Sequence, residues 1–268
     1  MEIGPGVNYV KPGDHVVMHW RKGAGIDANP PKYGRGDGFV GAGQVATFAT
    51  HSVVSENRLT PISDDFDLST AALMGCAVTT GLGLINNEAK LKIGQSIVVI
   101  GCGGVGLNVI QGASLVGGNP IVAIDIKQDK LNMAIEYGAT MVWNTSYKFD
   151  ISGKFEVVVE TTGIPALIEM AYEMTVPGGK CILVGQPPYG VEIEFKDFSR
   201  HFTGKTLMDS QGGLTEPHID IPRYLEMYRQ GKLKLDNLIT HTFPFSEINM
   251  AIKYAKVGDA GKVMVEMK

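Results

Sequence analysis

The segment Gly101-Cys-Gly103-Gly-Val-Gly106 follows a short apolar run, Ser96-Ile-Val-Val-Ile100, and opens a stretch of helical period from Val105 to Leu115. A strand that passes through a G-x-G-x-x-G turn into a helix can seat the pyrophosphate of a dinucleotide. Gly101 suits the tight turn, Gly103 close approach of the backbone to phosphate, and Gly106 close helix–sheet packing. Gly104 and Val105 belong to the same loop, where helix N-terminal N–H groups and the positive end of the helix dipole face the anion. A glycine motif alone is a weak signal. Its partner here is Asp125, which ends the next apolar run, Pro120-Ile-Val-Ala-Ile124. A carboxylate at that place accepts hydrogen bonds from the ribose hydroxyls and repels a 2′-phosphate, so the pattern favours NAD over NADP. Ile126 follows directly, and Lys130, one helical turn on, can reach the adenosine end.

Other reactive residue types carry less. Tyr228 and Lys232 have the spacing of a Tyr-x-x-x-Lys catalytic pair, but that pair must share a helix face and Gly231 is expected to end the helix first. Cys102 lies within the glycine loop and Cys181 opens an apolar strand, so both read as small core residues. The histidines are dispersed without metal-ligand spacing, and only His51, between Thr50 and Ser52, merits a check.

The elements that must position these residues change character along the chain. Residues 1–77 read as a β-rich segment: the turn Lys11-Pro-Gly-Asp14, the strand His15-Val-Val-Met18, an irregular excursion from Trp20 to Gly43, and a further strand from Val45 to Val54. From 78 to 213 short buried strands alternate with helices. Phe155–Glu160, a helix from Pro165 to Met174 and the strand Lys180–Val184 continue the pattern, with Lys127–Tyr137 as an amphipathic helix closed by Gly138. That alternation implies a doubly wound parallel sheet, an α/β fold. Residues 214–268 hold a helix, Ile221–Gln230, and strand-like segments near Thr240-His-Thr-Phe and Lys262–Met267, a return to the first domain.

Composition supports a folded protein with a real core, at 44% hydrophobic and 19% charged residues. A net charge of -4 gives no footprint for nucleic acid. No apolar run approaches the roughly 20 residues of a membrane span, and the leading Met-Glu-Ile-Gly-Pro-Gly resembles no secretion signal. Three scattered cysteines make no disulfide framework. The expectation is a cytoplasmic protein with a small-molecule partner, neither nucleic acid nor membrane.

Gly75-Cys76-Ala-Val-Thr-Thr80-Gly81 followed by the glycine loop resembles the zinc-containing medium-chain alcohol dehydrogenases. Ile124-Asp125-Ile-Lys127, Val184-Gly185-Gln-Pro-Pro188 and Leu238-Ile-Thr-His-Thr-Phe-Pro-Phe245 fit the same family in order and spacing, closest to the branch of liver-type and glutathione-dependent formaldehyde dehydrogenases. The resemblance implies a Rossmann cofactor domain beside a GroES-like catalytic domain, here partial, and reversible hydride transfer between an alcohol or carbonyl substrate and NAD. It places Cys76 as a ligand of catalytic zinc, Thr80 against the nicotinamide, and Trp20 in the substrate pocket. Thr161, Thr162, Gly163, Val184, Gly185 and Gln186 would flank the cofactor, and Lys262 would hold its pyrophosphate. It also implies a homodimer, paired through a sheet-edge strand around Phe202 to Met208.

The departures shape the expectation. The family takes two more zinc ligands, a Cys and a His, from a stretch ahead of Gly4, where this sequence has only Met1-Glu-Ile. The loop that would hold four structural-zinc cysteines has none, with Ala24 at the first position, so no structural zinc is expected. A truncated front and a lineage kept for nucleotide binding both account for this; truncation is the expectation, with catalytic zinc in the intact protein. The chain as written is expected to bind NAD and fail to oxidise an alcohol. A zinc-free reductase of the quinone-oxidoreductase kind and a non-catalytic NAD-binding protein are the alternatives.

Overall fold

In the computed structural model of the chain, residues 2–41, 43–146, 153–196, 199, 202–258 and 261–267 are described. Two compact units emerge: Met1–Thr79 with Thr215–Lys268, and Thr80–Leu214.

The first unit opens with β1 (His15–Met18), the hairpin β2 (Lys32–Arg35) and β3 (Gly38–Gly41), β4 (Leu59–Ile62) and α1 (Leu68–Ala72). The expected turn before β1 forms through Asp14 N–H to Lys11 O at 3.2 Å. β1 and β4 pair antiparallel, His15 opposite Ile62. Asp67 caps α1, accepting from the Thr70 N–H at 2.8 Å. Two expectations are corrected here. The excursion from Trp20 to Gly43 is not wholly irregular, because Gly36 at φ +55 allows the tight turn between β2 and β3. The segment Val45–Val54 forms no strand. It is held instead by the Ser52 hydroxyl on Ala46 O and by Val53 N–H to the Tyr33 hydroxyl at 3.1 Å; its β-branched Val and Thr residues meet no partner strand.

The helix α2 (Ala77–Gly83) carries the chain into the second unit and continues as a π-helical stretch, Leu84–Ala89. There follow β5 (Ile97–Ile100), α3 (Gly104–Leu115), β6 (Ile121–Asp125), α4 (Gln128–Glu136), β7 (Met141–Asn144), β8 (Phe155–Glu160), α5 (Pro165–Met174), β9 (Thr175–Leu183) and β10 (Thr206–Asp209). They form one sheet in the order β10-β9-β8-β5-β6-β7, every pair parallel. This is the doubly wound dinucleotide-binding order, with the order reversing at β5. All four residues of β5 are buried, as are Ile121–Ile124 of β6, which is what a strand covered on both faces by helices demands. Gly138 at φ +109 ends α4, and Pro165 starts α5 with its fixed φ.

Three boundaries move. β7 went unassigned in the sequence, since only four residues link helix and loop. β9 begins five residues before Lys180, reaching its full length through an irregular register between Phe155 and Val157. The edge strand begins at Thr206, not at Phe202. Thr203 O accepts from Gly178 N–H at 2.9 Å and Gly204 turns at φ +74, which keeps Phe202 in an exposed turn.

The chain then completes the first unit with α6 (Pro217–Arg229), β11 (Ile239–Pro244), α7 (Ile248–Val257) and β12 (Lys262–Glu266). β11 and β12 pair in parallel. Pro217 starts α6 a turn earlier than the periodicity indicated. Its last residue is Arg229, and Gly231 follows at φ +69, so Lys232 is off the helix and Tyr228 donates to Asp236 Oδ1 instead, at 2.5 Å. Among the described residues no single helix is long and apolar enough to cross a membrane.

Candidate functional site

The glycine loop joins β5 to α3, and each glycine answers a different demand. Gly101 has φ +94, and its N–H bonds Ile124 O at 2.8 Å, which ties the turn to β6. A Cβ on Gly106 would lie 1.9 Å from Gly101 O, so α3 starts hard against the turn it leaves. Gly103 is the opposite case. It caps α3 in an extended conformation, φ −76 and ψ −173, and a Cβ there would meet nothing within 4 Å. The space over Gly103 is therefore open to a group that must approach the backbone. The first intrahelical bond of α3 is Leu107 N–H to Gly103 O at 2.9 Å. The N–H groups of Gly104, Val105 and Gly106 precede it and have no partner inside the helix. Open space and first-turn donors fit a pyrophosphate.

Asp125 ends β6 beside this loop. Its Oδ2 accepts from Cys102 N–H at 2.8 Å and its Oδ1 from Lys127 N–H at 2.9 Å. These bonds fix the carboxylate plane, and each oxygen keeps a lone pair for a hydroxyl donor. Ile126 is exposed next to it and Lys130 is half-buried on α4. Cys102 is buried, and burial together with the Asp125 charge pushes its thiol up to about 12. Cys181, buried in β9, is also pushed up to about 12 by burial. Neither is a nucleophile near neutral pH.

The neighbouring strand ends in a group that the sequence reading passed over. Glu160 is fully buried at the end of β8, and its Oε1 accepts from the Thr162 N–H at 2.6 Å and from the Thr162 hydroxyl. The Gly163 N–H lies 3.1 Å from Oε2. Thr161 Oγ1 bonds Ile100 O at 2.9 Å and Gly101 O at 3.1 Å. The β8 turn is thus knitted to the glycine loop. Val184 and Gly185 N–H groups both bond Glu160 O, at 2.7 and 3.1 Å. A Cβ on Gly185 would fall 2.0 Å from Gly163 N, so the 161–163 and 184–186 turns touch backbone to backbone. The structure brings Thr161, Thr162, Gly163, Val184, Gly185 and Gln186 together beside Gly101. A carboxylate closing an apolar strand immediately before Thr-Thr-Gly was the available signal for Glu160.

Thr80, the first residue of the second unit, is buried in α2, and the backbone at Gly213 abuts its carbonyl. In the first unit, Cys76 is exposed after the turn Leu73–Gly75, and its carbonyl accepts from the Thr79 hydroxyl at 3.0 Å. Gly75 sets that turn on β1, since a Cβ on it would be 2.4 Å from Met18 O. Trp20 is exposed two residues beyond β1, with the Arg21 guanidinium 5.9 Å from its ring centre. Lys262 opens β12, opposite Ile239. His51 is exposed and lies 3.3 Å from the Thr50 hydroxyl. Among the described residues no three His, Cys, Asp or Glu side chains group to hold a metal ion. Catalytic zinc takes three protein ligands, so Cys76 and its described surroundings do not fit that ion.

Comparison with known proteins gives a consistent picture. A family described as zinc-binding dehydrogenase matches residues 104–229. The S-(hydroxymethyl)glutathione dehydrogenase of Paracoccus denitrificans is 29% identical over 99% of this chain and 81% of its own length. The S-(hydroxymethyl)glutathione dehydrogenase of Saccharomyces cerevisiae is 30% identical over 98% and 78%. Among solved structures, benzyl alcohol dehydrogenase from Acinetobacter calcoaceticus superimposes with a TM-score of 0.83 at 26% identity, covering 100% of this chain and 81% of that one.

Proposed function

We propose, because the chain belongs to the zinc-containing medium-chain alcohol dehydrogenase family, that it moves a hydride reversibly between an alcohol and NAD. The observation that carries the cofactor reading is the open Gly103 seat at the start of α3, with Asp125 fixed beside it by the Cys102 and Lys127 N–H groups. Bound NAD supplies the nicotinamide carbon that takes or gives the hydride. Gly103, Gly104, Val105 and Gly106 would receive the pyrophosphate, and Asp125 the ribose hydroxyls. By resemblance, Thr80 would face the nicotinamide and Lys262 would hold phosphate. Glu160 is a positioning residue, holding in place the Thr162–Gly163 turn that would flank the cofactor.

The family is zinc-binding, whereas the described donors here do not complete a zinc site. That donor set favours a second reading, a zinc-free reductase on the same cofactor. A homodimer joined through the outer edge of β10, where Leu207 is exposed, is part of the proposal. A monodisperse monomer in sedimentation at micromolar concentration would count against it.

The test is a fluorescence titration of NADH and NADPH, followed by a panel of alcohols with NAD, with and without added zinc. NADH binding several-fold tighter than NADPH, with the gap narrowed by Asp125→Ser, is expected. Equal affinity for the two cofactors overturns the NAD assignment, and turnover independent of zinc selects the second reading.

A further inference from the structure

The first unit contains a pocket of about 630 Å³ with a cationic wall, lined among others by Trp20, Arg21, Lys22, Gln44 and Arg58. Arg58 is its unusual member. It ends the short turn Glu56–Arg58 that feeds β4, is only 7% exposed, and has a buried Nε with no hydrogen-bond partner. An arginine buried to this degree is ordinarily matched by a carboxylate. None of the ion pairs among the described residues includes it. The nearby acids make their close contacts elsewhere, although Asp27 stands near enough to feel the Arg58 charge. Asp27 pairs with Lys22 Nζ at 2.5 Å, and Glu56 accepts from the N–H groups of Asn8, Tyr9 and Ile26. Arg21 is set in place by Nε donating to Thr215 O at 2.9 Å. Gln44 Oε1 is also buried without a partner, and an amide can turn to present its NH2 instead. His19, buried beside Arg58, is held below its ordinary range first by burial, with the Arg58 charge acting in the same direction.

We propose that this pocket binds an oxyanion, a phosphate or carboxylate group carried by the substrate alcohol, with Arg58 as its principal donor. A guanidinium presents a planar fork that matches both groups bidentately, and such an anion would supply the close ion pair that no carboxylate among the described residues makes with Arg58. The location suits a substrate tail. Gly75 seats the Cys76 turn on Met18 O, and the same strand end leads within two residues to Trp20, so Cys76 and the pocket share one end of β1. The assignment of the anion to the substrate rests on the dehydrogenase reading above; the binding itself does not.

The chain has two tryptophans, and Trp143 packs edge-on against Phe155 in the other unit's core. A Trp143→Phe variant therefore leaves Trp20 as sole reporter. In that background, inorganic phosphate and succinate are titrated separately against Trp20 fluorescence. At least one is expected to give a saturable change, weakened about tenfold or more by Arg58→Gln, with Arg58→Lys in between because it keeps charge but loses the fork. Saturation by phosphate alone assigns a phosphoryl group, and by succinate alone a carboxyl group. No saturable response to either anion, or equal affinity in Arg58→Gln with thermal unfolding intact, overturns the proposal. Loss of NADH binding or of alcohol turnover would strike the dehydrogenase reading and leave this titration standing.

Discussion

Gly103 and Gly106 stand three residues apart in one loop, and the structure assigns them opposite sensitivities. In Gly106→Ala the new methyl starts 1.9 Å from Gly101 O, whereas real Cβ contacts essentially never fall under 3.0 Å. The start of α3 must therefore retreat by at least about 1.1 Å, and the obstacle is a backbone carbonyl that cannot rotate away. Overpacking costs about 1–3 kcal/mol, against a helix-propensity gain of about 1 kcal/mol for Gly to Ala. With a rigid obstacle the upper end applies, leaving a net loss of about 2 kcal/mol and a fall in Tm of roughly 4–8 °C. Gly103→Ala meets nothing within 4 Å, in a backbone conformation open to any residue. Its stability should stay within about 0.5 kcal/mol of the parent. If that space seats a pyrophosphate, the methyl nonetheless displaces it, and NADH affinity should fall at least about tenfold, or 1.4 kcal/mol. Thermal unfolding without cofactor and NADH fluorescence titration on both variants make the test. Parent-like NADH binding by Gly103→Ala would refute the phosphate seat. Unchanged melting of Gly106→Ala would refute the close contact of helix and turn.

Three other outcomes are expected. One thiol per native chain, Cys76, should react with a disulfide probe and all three after denaturation; rapid labelling of Cys102 or Cys181 in the folded protein would contradict their burial. Zinc in the purified 268-residue chain should stay well below one per chain and be unchanged in Cys76→Ala, since three ligands do not group among the described residues; one tightly held zinc that disappears in Cys76→Ala would show that other ligands complete the site. The Glu56 carboxyl is held below its ordinary range, first by the Tyr9 N–H and then by the Ile26 N–H. Its contribution is therefore present above the unfolded value of about 4.3 and is lost as pH falls through the folded one. Glu56→Gln should lower the urea midpoint at pH 7, and the gap from the parent should close on acidification toward pH 3; a gap that stays constant would rule out this role.

The parallel-sheet unit was legible because its signals are local. An apolar strand, a glycine turn and a helix start are contiguous in sequence, and Asp125 is found by counting one strand further. Cys102 and Cys181 were legible as core residues for the same reason. What stayed hidden depends on partners distant in the chain. Glu160 is an acid in a strand until the Thr162–Gly163 turn folds back onto it. Val45–Val54 has the β-branched residues of a strand but no neighbouring strand to join, and no local pattern reports that absence. The hairpin of β2 and β3 has exposed, nearly patternless strands, and only the Gly36 turn betrays it. Arg58 drew no notice in the sequence, where nothing local signals its burial; it lines one pocket with Trp20 and Gln44, which lie far from it in the chain.

The chain order of the two units bears on synthesis. The second unit is one continuous stretch, Thr80–Leu214, but the first is assembled from both ends of the chain. Arg229 grips Asp65 through two bonds, at 2.8 and 3.0 Å, and lies 4.4 Å over the Phe66 ring; Arg21 reaches Thr215 O. None of these partners exists when β1 to β4 leave the ribosome. At about 5–20 residues per second, some 10–40 s separate completion of residue 79 from completion of residue 268. During that wait the early strands hold an apolar face with nothing against it, while the inserted sheet can close on its own core. Slowing translation after residue 214 should therefore lower the soluble yield of the whole chain, and co-expressing residues 215–268 as a separate peptide should restore part of it.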